Sequence, residues 1–207
     1  MQHRILLCVC ALATAVTPAA AQTFEGVITM QTTAMGAPSD LTLHVKGGLL
    51  RIDGLHAGTT MIRDAKGRML MVQASEKSYF VMPLRLTSDD LTPTFTPTGK
   101  DDTVLGYNCS YYRVHFATAA NDDEACVTTA FGFVGIGRYA SLDERVLRKT
   151  FGSGFMVLKS VDRNGKPLSV VKKVERTTVS DDDFAPPPGF SEVKMPGTGG
   201  FAPSRKP

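Results

Sequence analysis

Cys109 and Cys126 stand seventeen positions apart in the stretch GYNCSYYRVHFATAANDDEACVTT, and such a pair can bridge, ligate a metal or work as a redox thiol. Zinc needs four ligands, and no second cysteine pair follows. His115 with Asp122, Asp123 and Glu124 supplies one histidine among loop acids, the composition of a solvated turn. Thiol chemistry needs an unpaired thiolate in an electropositive setting or a Cys-x-x-Cys pair, and neither is present. The decision therefore rests on the compartment, because a disulfide persists only where the surroundings are oxidising.

Other residues with chemical potential read as structural. Gly132-Phe133-Val134-Gly135-Ile136-Gly137 has the glycine density of a phosphate loop but not the G-x-G-x-x-G spacing, and no P-loop lysine follows. Gly152-Ser153-Gly154 lacks the spacing of a nucleophile elbow, and His44, His56 and His115 fall in no triad order. Asp181-Asp182-Asp183 lacks the glycine and terminal glutamate of a calcium loop, so it reads as a turn capped by Ser180 that sends Phe184 into the core. Met69, Met71 and Met82 have the softness of copper ligands, yet methionine more commonly fills a core or cavity. No catalytic residue, cofactor site or metal site is expected, and the chain is not read as an enzyme.

The N-terminus settles the compartment. Arg4, the apolar run Ile5 to Val16 and the exit Ala19-Ala20-Ala21 form the charge, apolar core and small-residue cleavage site of a signal peptide. The run is too short to span a bilayer, which takes ~20 apolar residues. Cys8 and Cys10 lie too close to Arg4 to serve as a lipidated terminus. Cleavage after Ala21 removes both, leaving Cys109 and Cys126 to form one bridge in an oxidising compartment. In the chain-entropy model a loop of that size contributes ~3 kcal/mol. Asn108-Cys109-Ser110 also matches a glycosylation sequon, but a bridged cysteine at its centre argues against its use.

The elements that position these residues are short and alternating. Phe24 to Thr32 alternates; Leu41 to Lys46 and Leu49 to Asp53 flank Gly47-Gly48; Thr59 to Arg63 and Met69 to Gln73 flank a polar turn; Lys77 to Met82 follows. Thr87 to Asp102 reads as a polar, proline-bearing connection. Beyond it Tyr111 to Phe116 and Ala125 to Thr129 form the cysteine hairpin, with the cysteines on its more polar, outer face. Phe155 to Asp162 and Leu168 to Thr177 surround Asn164-Gly165, a strong hairpin signal. Ser141-Leu142-Asp143-Glu144 has capping-box form and starts a helix of about three turns, with Leu142, Val146 and Leu147 as its apolar stripe and Gly152 as its cap. Met69 to Gln73 and Lys77 to Met82 are apolar on both faces. A sheet wetted on one side has no need of that, so both faces must be covered or one must line a cavity.

The order of Phe24-Glu25-Gly26, Val45-Lys46-Gly47, Leu50-Arg51-Ile52, Leu105-Gly106-Tyr107-Asn108-Cys109, Val179-Ser180-Asp181 and the ending Phe184, Pro188, Gly189, Phe190 resembles the bacterial exported family known as domain of unknown function 4412. The resemblance spans nearly all of the mature chain. It implies the fold of LolA-type lipoprotein carriers: a curved, half-open antiparallel β-barrel whose concave apolar face is covered by a helix and a loop. It implies no catalytic residues. Where the family has tryptophan in the strand matching Glu124-Ala125-Cys126-Val127-Thr128, this chain supplies the partner of Cys109, so the bridge is not a family-wide expectation.

Together these readings describe a signal peptide (1–21), a single β-rich domain (22–193) and a disordered C-terminal tail (194–207). With 207 residues, a net charge of +3 and 43% hydrophobic residues, there is no basic stripe of the nucleic-acid-binding kind. The expected partner is a lipid or other apolar ligand, lined by Met69, Met71, Phe80 and Met82 with Phe133 and Ile136 as a lid; the alternative is an envelope protein docked on the same face. Attachment is at most peripheral to the membrane. The intact mass of the exported protein should begin at Gln22, and a mass that retains residues 1–21 or adds a diacylglycerol overturns that processing.

Overall fold

The computed structural model describes residues 24–33, 37–82, 92–117, 122–136, 139, 142 and 144–194. The signal segment, Gly137, Ser141, Asp143 and the tail from residue 195 lie outside the described residues. Thirteen strands are described: β1 (Glu25–Thr32), β2 (Ser39–Lys46), β3 (Leu49–Asp53), β4 (Thr59–Arg63), β5 (Met69–Gln73), β6 (Ser78–Met82), β7 (Thr94–Val104), β8 (Tyr107–His115), β9 (Asp123–Thr128), β10 (Phe133–Val134), β11 (Phe155–Val161), β12 (Pro167–Arg176) and β13 (Ser191–Glu192). One helix, α1 (Glu144–Phe151), accompanies them.

All thirteen belong to one sheet in the order β13-β6-β5-β4-β3-β2-β1-β12-β11-β9-β8-β7, with β10 beside β11. Pairing is antiparallel except for β13 on β6 and β10 on β11. Two meanders, β1 to β6 and β7 to β12, are joined where β1 pairs with β12. The ends β13 and β7 do not meet, so the curved sheet is a half-open barrel.

Turn chemistry fixes the register. Gly47 and Gly165 adopt positive φ in the β2–β3 and β11–β12 hairpins, where an L side chain is disfavoured. Asp162 reinforces the second turn by accepting from the amides of Asn164 and Lys166. Asp64 does the same between β4 and β5, accepting from the amides of Lys66 and Arg68 and from the Arg68 guanidinium. The segment read as a connection from Thr87 to Asp102 contains β7 from Thr94 onward. Its polarity and Pro97 suit an edge strand, and a bulge between Pro97 and Asp101 breaks its ladder with β8.

One row of in-register residues crosses six strands on a single face: Ile28, Leu43, Ile52, Met61, Met71 and Phe80. We call this the inner face. At β1 to β3 it is fully buried beneath Phe131, Val134 and Ile136. At β4 to β6 it is only half buried. The opposite face of those same strands carries Ile62, Leu70 and Val72, which pack under Val179 and Phe184, with Tyr79, Val81 and Phe190 at the margin. Ser180 caps the turn by accepting from the Asp182 amide at 3.3 Å, and Phe184 is left 3% exposed. The C-terminal segment is thus the second cover that the doubly apolar strands required.

The helix spans eight residues, a little over two turns rather than three. Leu147 and Phe151 pack on Val114, Ala125, Val127 and Phe155, and Gly152, with positive φ, ends the helix by donating to the Arg148 carbonyl. Because α1 covers this face of the β8–β9 hairpin, the cysteine face lies inside as well. Cys109 and Cys126 form the expected disulfide, with Cα atoms 5.3 Å apart, but they are 4% and 0% exposed and join the main core with Tyr107, Tyr111 and Phe131. The outer-face placement is therefore corrected: Arg113 and His115 share that face but lie nearer the strand's end, and their polarity does not describe it at Cys109. Both thiols should resist alkylation until the protein is reduced and unfolded. Replacing either cysteine should lower the melting temperature by several degrees, as ~3 kcal/mol implies for a domain of this size; free thiols in the oxidised protein would contradict the bridge.

Candidate functional site

At the far ends of β1 and β2 the inner face opens into a cleft of about 310 Å³. Met30 and Leu41, directly paired across β1 and β2, form one wall. Ile136, Tyr139, Val157 and Leu168 form the others. The alternation of β1 and β2 aims Met30 and Leu41 inward, and the chain after β10 carries Ile136 over them. Hydroxyls at the rim are engaged within the wall: Ser160 and Ser169 share a hydrogen bond of 2.7 Å, Thr32 donates to the Leu168 carbonyl at 3.2 Å and Thr33 to the Pro167 carbonyl at 2.9 Å. Asp123 is the one carboxylate among the lining residues. The arrangement presents an apolar floor with a polar rim.

The six residues singled out as a lining fall in three places. Met69, Met71, Phe80 and Met82 lie together on the inner face of β5 and β6, joined by Met61 and Arg63, their register partners on β4. Ile136 is buried in the wall of the cleft, which none of the four residues lines. Phe133 pairs with Phe155 along β10 and lies beneath the Arg148 guanidinium, 4.5 Å from its ring centroid. Met30, Leu41, Val157 and Leu168 were not singled out, since alternating apolar residues near strand ends carry the same signal as any core position. Among the described residues no group of three or more His, Cys, Asp or Glu side chains converges as a metal site.

The strongest electrostatics lie on the outer face. Arg51 forks onto Asp53 at 2.8 and 3.0 Å, Thr60 donates to the same carboxylate at 2.7 Å, and His44 stands 3.8 Å from Asp53 and 3.5 Å from Asp183. Lys46 meets Asp181 at 2.7 Å and donates to the Val179 carbonyl, while Glu25 accepts from the Val179 amide at 2.9 Å. Burial pushes the Asp53 carboxyl up, but the hydrogen bonds from Arg51 and Thr60 outweigh it and hold the group below its ordinary value. The contacts of Glu25, His44 and Lys46, with Arg51 reaching the Asp183 carbonyl, tether the C-terminal cover to β1, β2 and β3. His44, Lys46 and Arg51 alternate with buried residues in the sequence, and Arg51 finds its acid two residues on in Asp53, but Asp183 beside His44 and Asp181 beside Lys46 lie far along the chain.

The molecule is thus a half-open β-barrel domain, covered on both faces, with an apolar cleft at one end. It belongs to the family described as domain of unknown function (DUF4412), whose model matches residues 24–190. Two solved structures of PNGF-II, in the C2 and P21 space groups, are similar to it with TM-scores of 0.55 and 0.52, each at 15% identity, over 85% and 84% of this chain. This chain spans 32% of the length of either, and at that identity the likeness is one of fold alone. No curated protein matches the chain.

A carboxylate whose folded pKa is depressed contributes stability that is complete above its unfolded value and is lost as pH falls through the folded one. Asp53 and Asp64 are both of this kind. The melting temperature should hold down to about pH 4, the ordinary aspartate value, and then fall. In Asp53→Asn that acid-side fall should be shallower and the melting temperature near neutral pH lower, which melting curves between pH 2.5 and 7 will read.

Proposed function

We propose that this chain is an exported, periplasmic binding module that holds one apolar chain, such as the acyl chain of a lipid, in the cleft walled by Met30, Leu41, Ile136, Val157 and Leu168, and that it performs no catalysis. The observation that carries the reading is the cleft itself: about 310 Å³, at the lower end of the ~300–1,000 Å³ of ligand pockets. Its rim hydroxyls hydrogen-bond to one another and to backbone carbonyls. A ligand there meets an apolar wall, and burial of its methylenes drives binding at ~0.8 kcal/mol each. The disulfide agrees with life in an oxidising compartment, and among the described residues no helix is long and apolar enough to cross a membrane.

A second reading, docking of an apolar segment of an envelope protein, draws on the half-buried surface of Met61, Met71, Phe80 and Met82. Methionine adapts to partners of varied shape. The two readings separate experimentally. Delipidated protein should take up a fluorescent fatty acid with saturation, Leu168→Trp should fill the cleft and reduce affinity at least tenfold, and Met71→Glu should leave it within about twofold. Loss on Met71→Glu with retention on Leu168→Trp, in variants whose circular dichroism is unchanged, moves the site to the methionine surface; no uptake by the wild type sinks the ligand reading.

A further inference from the structure

At the opposite ends of β1 and β2, a second cleft of about 460 Å³ lies among the Gly47-Gly48 turn, Thr129 to Phe133, α1, Ser153 and the end of β12. Two guanidinium groups line it, and each rests on an aromatic ring. Arg148 lies 4.5 Å above the centroid of Phe133 and Arg176 lies 5.3 Å above that of Phe24. The second ring is fixed: Phe24 is 1% exposed and meets Phe131 edge-on at 5.1 Å.

Stacking occupies the flat face of a guanidinium and leaves its in-plane N–H groups to donate, the geometry that grips an oxyanion with two parallel hydrogen bonds. The only acid in the lining is Glu144, which pairs with Arg148 one helical turn away. Arg176 has no carboxylate partner among the described residues, and its neighbour Glu175 is taken by Lys173 at 2.8 Å. The lining thus carries two cations against one anion. Gly47, Gly48, Ala130 and Gly132 keep the approach open, and a Cβ added at Gly47, Gly48 or Gly132 would meet nothing within 4 Å.

We propose that this cleft binds an organic phosphate, with Arg176 as the principal ligand and Arg148 as the second, turning from Glu144 to the incoming group. Two forks on different elements suit a tetrahedral oxyanion better than a planar carboxylate, which one fork already satisfies. The cleft has room for an organic residue beyond the phosphate itself. Soluble phosphate esters and the headgroups of anionic lipids share this chemistry. The proposal is independent of the apolar cleft, which has its own walls.

The test uses the mature chain at low ionic strength, where surface electrostatics are least screened. Calorimetric titration with glycerol 3-phosphate reads the soluble source, and co-sedimentation with phosphatidylglycerol against phosphatidylcholine vesicles reads the lipid source. Saturable binding in either arm is expected to weaken at least tenfold in Arg176→Gln and to weaken in Arg148→Gln. Arg176→Lys, which keeps the charge and loses the fork, should not restore it, whereas Glu144→Gln should tighten it several-fold by releasing Arg148. Binding in only one arm identifies the source. No saturable binding in either arm, or binding that Arg176→Gln and Arg148→Gln leave unchanged in proteins with wild-type melting curves, overturns the proposal. Leu168→Trp should not change this affinity, which keeps the outcome separate from that of the apolar cleft.

Discussion

An open sheet with apolar residues on both faces cannot stand alone in water, and the rest of this structure follows from how each face is covered. At β1 to β3 the cover is the segment Phe131 to Ile136, which buries Ile28, Leu43 and Ile52. At β4 to β6 the cover changes sides: Val179 and Phe184 return after β12 to bury Ile62, Leu70 and Val72. Apolar burial at ~25 cal/mol per Å² drives both arrangements. Neither cover is a regular element able to hold its own shape, so each is held by specific contacts. The outer one is tied by Lys46, Glu25 and Arg51; the inner one by the short parallel pairing of β10 with β11 and by the Gly132 carbonyl, which accepts from Phe155.

This division places the clefts. The inner cover is shorter than β1 and β2, so it fills the middle of their buried face and leaves a space at each end. At one end the residues left over are Met30 and Leu41, and the space is apolar. At the other are the Gly47-Gly48 turn and Arg176, and the space is charged. Between them Phe24, Phe131 and Tyr107 pack ring against ring at 5.1 and 4.5 Å. The disulfide lies in that same core rather than at its rim. Its loop constraint and the aromatic packing therefore act on one region of the main core.

Period-two patterning made most of the strands legible. The paired runs around Gly47-Gly48, Asp64 to Gly67 and Asn164-Gly165 returned as hairpins because local turn chemistry and apolar alternation agree there. Ser180 and Phe184 were legible for the same reason: a cap and a large apolar residue in one short stretch. β7 was not, since an edge strand with Pro97, a bulge and exposed polar side chains carries none of the apolar signal on which strand assignment rests. Its β-turn, Leu105-Gly106, even places a non-glycine residue at positive φ. The burial of Cys109 was misread because face polarity was judged within one hairpin, whereas burial is decided by what the rest of the fold lays over it. The cleft was illegible in the same sense. Met30, Leu41, Ile136 and Leu168 are distant in sequence, and only the pairing of β1 with both β2 and β12 brings them to one wall.

The electrostatics divide along similar lines. The acids with shifted pKa values, Asp53, Asp64 and Asp102, are all held below the ordinary range by hydrogen bonds from backbone amides or neighbouring side chains. Each is thereby kept ionised and committed to a turn, a strand pair or the C-terminal tether. The two arginines beside the charged cleft are placed differently: Arg148 and Arg176 lie against the rings of Phe133 and Phe24. In the proposed phosphate site Arg176 keeps its place on Phe24, a buried ring, and only Arg148 has to leave its present partner, Glu144. The half-open sheet is then the frame that carries both clefts, one at each end of β1 and β2.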